Sequence, residues 1–236
     1  MRAVGLLGFD VFGTVVDWRS GVARAAAPFL DRHRTGIEPA AFADAWRAKY
    51  LPSMAPVRAG TRAWVKLRVL NRESLDTLLA EHGIAAAEVS PDEMAVLEGA
   101  WDRLDPWPDA VAGLTRLKRR YPIVTISNGD IAGMLALARF GGLPWDAILG
   151  AEVARAYKPM PEAYLRSAEA AGFTAAETAL VAAHNGDLAA ARACGLATYF
   201  VNRPDEKGPN TGDRAAPGDW DVVAQDLNDL ADRLDC

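Results

Sequence analysis

Asp10 closes a short apolar run, Val4 to Phe9, and opens the turn Asp10-Val11-Phe12-Gly13-Thr14. A carboxylate at the C-terminal end of a strand, followed by a glycine that lets the backbone turn tightly, stands where open α/β sheets place their chemistry. Such a carboxylate can act as a nucleophile. Two residues on, a second carboxylate could protonate a leaving group and help to hold a magnesium ion. Phe12 can neither donate nor accept a proton. The pair therefore suits an attack whose leaving group departs without protonation.

Strands of a parallel sheet deliver their C-terminal ends to one edge, so polar residues that follow other apolar runs should converge on Asp10. Reading along the chain, these are Thr14, then Ser127 and Asn128, then Lys158 after Ala156-Tyr157, then His184, Asn185 and Asp187. Each has a plainer role open to it. Asp10 alone could be a loop acid or a helix cap, and Lys158 could bridge to Asp187 for structure as well as for chemistry. Tyr164 could be a packed helix residue with its hydroxyl on the rim. Arg47, on an amphipathic helix, could be a solvated cation. His33 and His82 lie in polar, helix-end surroundings and read as surface residues. Trp46, Trp64 and Trp101 at helical positions read as packing.

The elements that must position these groups follow a βαβ rhythm. Val4 to Phe9, Ile123 to Ile126, Ala179 to Ala183 and Thr198 to Val201 are apolar and β-favouring, each beside helix-like sequence, and a shorter strand is expected around Ile148 and Leu149. The expected fold is α/β: a Rossmann-like parallel sheet with helices on both faces and an inserted helical cap. The core takes residues 1–17 and 100–236, and the cap residues 18–99. Within the insertion, Gly21 to Arg32, Ala40 to Tyr50, Arg62 to His82 and Asp92 to Leu104 carry apolar residues at spacings of three and four. Asp109 is placed to cap a helix over Ala110 to Arg120. Asn202 to Gly218, rich in Pro, Gly and charge, reads as an exposed loop before a last helix, Val222 to Leu234.

Half of the 236 residues are apolar, enough for a substantial core. A net charge of -5 argues against a nucleic-acid or anionic-membrane surface and leaves small molecules as the expected partners. Met1-Arg2 runs into a strand without a signal-peptide pattern and no apolar run has the length of a membrane span, so a cytoplasmic location is expected. Two cysteines, Cys194 and Cys236, offer neither a disulfide framework nor zinc spacing.

The order Asp-x-Φ-Gly-Thr, Ser127-Asn128-Gly129, Tyr157-Lys158-Pro159 with Tyr164 six residues beyond the lysine, and Asp187 after the fourth strand resembles the haloacid dehalogenase superfamily from end to end. Phe12 and the Trp46-Arg47 pair are similar to features of its L-2-haloacid dehalogenase branch. That resemblance implies a hydrolytic dehalogenase making 2-hydroxy acids from 2-haloacids through an ester on Asp10, with no metal or other cofactor. It implies that Arg47 and Asn128 take the halide, that Thr14, Ser127 and nearby backbone N–H groups hold the substrate carboxylate, and that Phe12 and Tyr164 border the substrate. Lys158 would keep Asp10 ionised, an opposite charge within about 4–6 Å favouring the charged form. Related dehalogenases suggest a homodimer. A magnesium-dependent phosphatase and a non-catalytic binding protein of the same fold are the competing readings.

One stretch departs from the branch. Its usual Ser-Ser-Asn-Ala-Trp-Asp is replaced here by Ala182-Ala183-His184-Asn185-Gly186-Asp187. Gly186 for Trp removes a wall of the pocket. His184 offers a group that titrates near neutrality and could serve as base for ester hydrolysis.

Overall fold

A computed structural model describes residues 4–214 and 220–236. Six strands, β1 (Leu6–Phe9), β2 (Ile123–Ser127), β3 (Ala147–Gly150), β4 (Thr178–Ala182), β5 (Ala197–Val201) and β6 (Val222–Ala224), form one sheet in the order β3-β2-β1-β4-β5-β6. Every pairing is parallel. This is a doubly wound sheet, and the strand order reverses between β1 and β4, so a crevice opens at the C-terminal ends of those two strands. Asp10 follows one of them and His184 the other.

Both faces of the sheet are covered, which is why its central strands are apolar throughout. Side chains alternate with a period of two. Leu7, Phe9, Ala179, Val181 and Tyr199 join one core, while Leu6, Val124, Ile126, Leu180 and Phe200 join another on the opposite face. Each large apolar side chain so buried contributes roughly 1.5–3 kcal/mol.

The insertion that follows β1 carries five α-helices before residue 99: α1 (Trp18–Arg32), α2 (Pro39–Ala48), α3 (Tyr50–Arg58), α4 (Leu67–Glu81) and α5 (Pro91–Glu98). Asp17 caps α1 by accepting from the Ser20 N–H, and the stripe Trp18, Val22, Ala26, Phe29 and Leu30 is buried. Ser90 and Glu93 form a reciprocal capping box at α5. The remaining helices are α6 (Ala110–Leu117), α7 (Ile131–Gly141), α8 (Ala151–Ala154), α9 (Pro161–Ala170), α10 (Asn185–Ala193) and α11 (Leu227–Arg233). No helix among the described residues is long and apolar enough to cross a membrane.

Several expected boundaries move. The helix expected over Ala40 to Tyr50 ends at Ala48, and Tyr50 begins a separate α3. The helix expected from Arg62 starts at Leu67, after extended Lys66. The one expected over Asp92 to Leu104 ends at Glu98 and tightens into a 3-10 turn over Gly99–Asp102, where glycine weakens the α-helix. Val222 to Ala224, expected to be helical, instead pairs with β5 as an edge strand, two β-branched valines favouring that state; α11 begins only after Asp226 caps it. Asp109 does occupy the N-cap position of α6 but makes no capping bond with its side chain. Its carboxylate takes both Arg203 Nη atoms at 2.8 Å and the Leu227 N–H. The segment expected to be an exposed loop contributes two buried charges, Arg203 and Glu206. Gly218 and its neighbours from 215 onward lie outside the described residues.

Candidate active site

The Asp10 N–H is held by the Val181 carbonyl of β4, which fixes the start of the turn across the crevice. Gly13 has φ 87°, and a Cβ there would lie 2.3 Å from Glu206 Oε1. Only glycine serves at this position, for backbone conformation and for space.

Asp10 is buried, and both its oxygens are engaged. Oδ1 accepts from Lys158 Nζ at 2.8 Å; Oδ2 accepts from the Thr14 hydroxyl at 2.7 Å and lies 3.0 Å from His184 Nδ1. Burial alone would raise the Asp10 pKa; the Lys158 charge and the His184 hydrogen bond outweigh it and hold the carboxyl well below the usual carboxylate range. The Asp10 carboxylate is therefore ionised near neutral pH. Lys158 is also buried, which disfavours its charge, but Asp10 and Asp187 reverse the effect and raise its pKa. Its Nζ lies 2.5 Å from Asp187 Oδ2, so one ammonium bridges the two carboxylates.

His184 lies between two carboxylates, Nδ1 facing Asp10 and Nε2 facing Glu206 Oε1, each at 3.0 Å. An ionised carboxylate only accepts, so both ring nitrogens donate and the imidazole is a cation. Desolvation works against that charge, but the hydrogen bonds to Asp10 and Glu206 prevail and the pKa is pushed up to about 10.

Of the ten expected site residues, Lys158, Thr14 and His184 touch Asp10, Asp187 and Asn128 reach it through Lys158, and Tyr164 reaches it through Asp187. Thr14, expected to hold the substrate carboxylate, has its hydroxyl committed elsewhere: it donates to Asp10 and accepts from the Ala183 N–H at 2.9 Å. It orients the Asp10 carboxylate. Tyr164, expected at the substrate, is fully buried on α9 and donates to Asp187 Oδ1 at 2.6 Å, so it orients Asp187 instead. Ser127 Oγ accepts from the Gly129 N–H at 3.2 Å. Asn128 spans core and insertion, its Oδ1 accepting from the Lys158 N–H at 2.8 Å and its Nδ2 donating to the Tyr50 hydroxyl at 2.9 Å.

Arg47 arrives from the insertion. Its guanidinium lies over the Tyr50 ring at 4.0 Å and the Trp18 ring at 5.5 Å, and Nη1 is buried without an acceptor. A desolvated cationic donor with no partner is costly to leave unmade, and an anion would satisfy it. Phe12 sets its ring edge-on to Trp101 at 5.8 Å and, with Trp46, Leu67 and Met134, borders a cleft of about 490 Å³ between α4 and α7. Asp10 does not line this cleft. Trp46 and Trp101 are buried, as the packing reading expects, and Trp46 Nε1 donates to the Asn71 carbonyl.

Tyr50, Trp18 and Glu206 were not expected at the site. Tyr50 stands three residues after Arg47, a spacing that brings side chains together on helical backbone and could have signalled the pair. Glu206 sits in an irregular segment with no periodicity to point inward. Among the described residues no group of three or more His, Cys, Asp or Glu side chains is arranged to hold a metal ion.

Residues 4–195 match the model of haloacid dehalogenase-like hydrolases. The chain is 30% identical over 204 residues to the (S)-2-haloacid dehalogenase of Xanthobacter autotrophicus, covering 83% of this chain and 74% of that protein. Its structure superposes on the crystal structure of a defluorinating L-2-haloacid dehalogenase with a TM-score of 0.94 at 48% identity, covering 99% of this chain and 96% of the other. A second L-2-haloacid dehalogenase crystal structure gives 0.90 at 42% identity, over 98% of this chain and 100% of the other. Matched in sequence from the first strand to the end of α10, and in structure over almost its whole length, the chain belongs to the haloacid dehalogenase-like hydrolase family.

Proposed function

We propose that the protein is a hydrolytic dehalogenase that converts 2-haloacids to 2-hydroxy acids through an ester on Asp10, without a metal ion. The observation that carries this reading is the pairing of an ionised, buried Asp10 with an orphaned Arg47 donor, with Phe12 where a general acid would stand. An oxygen of Asp10 attacks the carbon that bears the halogen, and the carbon–halogen bond breaks with its electron pair on the halide. Arg47 and the Asn128 amide receive that anion. Ser127 and neighbouring backbone N–H groups hold the substrate carboxylate, while Lys158 keeps the nucleophile charged and Asp187 and Tyr164 hold Lys158.

Ester formation removes the Asp10 charge, and with it one of the two interactions that keep His184 protonated. Nδ1 then loses its proton to solvent, which balances the halide released. Neutral His184 takes one proton from water as that water's oxygen bonds to the Asp10 carboxyl carbon; the bond from that carbon to the product oxygen breaks, and the second proton of the water, on the new Asp10 hydroxyl, passes to the departing alkoxide, restoring the Asp10 carboxylate and the imidazolium. A positioned general base of this kind is worth about 10²–10⁴-fold. Residues 18–99 act as the cap over a core of 1–17 and 100–236; excluding water strengthens each of these charge interactions.

The substrate is a small haloacid. The enzyme works in the cytoplasm as a homodimer without a nucleic-acid or membrane partner, a reading supported by its acidic charge and by exposed Ile131, Leu135 and Phe140 on α7. A magnesium phosphatase gains no support, since Phe12 cannot protonate a leaving oxygen and Asp187 is occupied by Lys158 and Tyr164. The test is halide release from L-2-chloropropionate and fluoroacetate in EDTA. The wild type releases halide from at least one of them, and Asp10→Asn from neither. Release that requires magnesium, or that survives in Asp10→Asn, overturns the reading.

A further inference from the structure

Glu206 is 1% exposed, yet it comes from a segment of proline, glycine and charge that has no need of a buried acid. Burying a carboxylate is costly unless something compensates. Attachment of the segment does not require it. Arg203, three residues earlier, already anchors this stretch through Asp109 and through the Thr14 carbonyl at 2.8 Å. Glu206 Oε1 instead accepts from His184 Nε2 and from Trp18 Nε1, both at 3.0 Å, while Oε2 is buried without a hydrogen bond. Position 13 carries no side chain, and a Cβ there would lie 2.3 Å from Oε1.

We propose that Glu206 is the positioning residue for ester hydrolysis: it holds the His184 ring by Nε2–H so that Nδ1 faces the Asp10 carboxyl carbon, and it stabilises the imidazolium that forms there. This rests on the reading of His184 as the base. The arrangement places a carboxylate on each side of one imidazole, and the two differ in fate. Asp10 becomes a neutral ester during turnover, whereas Glu206 keeps its charge and its hydrogen bond. Glu206 thereby fixes the tautomer: with Nε2 carrying the remaining proton, the lone pair is at Nδ1, on the side where water must be activated. A neutral imidazole free to choose would place its proton on either nitrogen.

Among the described residues two carboxylates face the His184 ring, and Asp213 stands nearby, accepting from the Asn185 N–H and lying 3.4 Å from Lys207 Nζ. Asp10 comes from the end of β1 and Glu206 from the 202–214 segment; Lys158 and Asp187 reach it only through Asp10, and Lys207 Nζ is 4.0 Å from Glu206 Oε2. Removing the Glu206 charge therefore destabilises the imidazolium in the ester form, and the acid limb of hydrolysis moves to lower pH.

The experiment follows Glu206→Gln, whose amide oxygen can still accept from His184 and Trp18, through a single turnover with 2-chloropropionate. Quenched samples are read for halide and, by mass, for ester on Asp10. The expected result is halide release at close to the wild-type rate, accumulation of the ester, hydrolysis slowed roughly tenfold or more, and the acid limb shifted down by about one pH unit. Glu206→Asp, which keeps the charge but withdraws it by one methylene, should fall between the two and serves if the glutamine variant does not fold. Equal slowing of halide release and hydrolysis with an unmoved acid limb means that Glu206 only holds the loop, and overturns the proposal. His184→Asn separates the two claims: normal hydrolysis in that variant removes the base itself, whereas ester trapped there but not in Glu206→Gln removes only Glu206.

Discussion

The two oxygens of Asp10 are served by differently built halves of the site. On the Oδ1 side, Lys158, Asp187 and Tyr164 form a chain of short bonds, 2.8, 2.5 and 2.6 Å, ending in a fully buried tyrosine. Asp187 and Tyr164 come from the N-terminal parts of α10 and α9, and Lys158 from the turn that joins α8 to α9. On the Oδ2 side, Thr14, His184, Glu206 and Trp18 make looser contacts of 2.7 to 3.0 Å that draw on an irregular loop and the first residue of the insertion. Both halves hold Asp10 ionised, Lys158 from one side and His184 from the other. In the proposed turnover only the second half changes protonation. A network that stays the same through a cycle can be rigid and doubly paired; one that must pass a proton keeps a site that titrates.

The comparison breaks most sharply at Lys158. Lys158→Met removes the one cation shared by two buried carboxylates, and kcat should fall on the order of 10²–10³ because an electrostatic group at the reacting atoms is lost. The fall should appear in halide release, before any ester is seen. A variant that forms ester normally would show that Oδ1 needs no counter-charge.

Next in size is Arg47→Lys. The flat guanidinium stacked on Tyr50 is replaced by a hydrated point charge that cannot present Nη1 in the same place. Halide release should slow by about 10- to 100-fold, a single lost anion donor being at the lower end of such effects. Chloride, the poorer leaving group, should suffer more than bromide. Equal loss for the two halides would place Arg47 in binding of the carboxylate instead.

The smallest effect sharpens the contrast through stability. His184 has its pKa raised from 6.5 to about 10 in the folded state, so its paired charge contributes fully below pH 6.5 and is lost progressively as pH rises to about 10. The wild-type Tm should therefore decline across that window more steeply than that of His184→Gln. The variant is less stable at pH 6.5, and the difference narrows by pH 10. Parallel curves would mean that the ring is not charged in the resting protein.

How much of this was legible in the sequence divides along the same line. Asp10, Thr14, Ser127, Lys158, His184 and Asp187 could be placed together because parallel strands end at one edge, whatever the rest of the chain does. Arg47 needed the family resemblance as well, since nothing in an amphipathic helix marks a cation as inward-facing. Glu206 and Arg203 were not legible. Their segment has turn-forming composition and no period, and their burial follows from docking onto Gly13, Thr14 and Asp109, which are far away in the chain. Val222–Ala224 was misread because a three-residue edge strand is too short to show alternation. The hydroxyls of Thr14 and Tyr164 were placed in the right neighbourhood but given to the substrate, whereas each is taken by an Asp of the site.

The central claim is that the oxygen of Asp10, not of water, becomes bonded to the substrate. A single turnover with enzyme in excess over 2-chloropropionate in ¹⁸O-labelled water tests it directly. The account predicts ¹⁸O in the Asp10 carboxylate and an unlabelled hydroxyl in the first-turnover product. Label in the product hydroxyl with none on Asp10 would contradict it, and would mean that Asp10 activates water rather than attacking carbon.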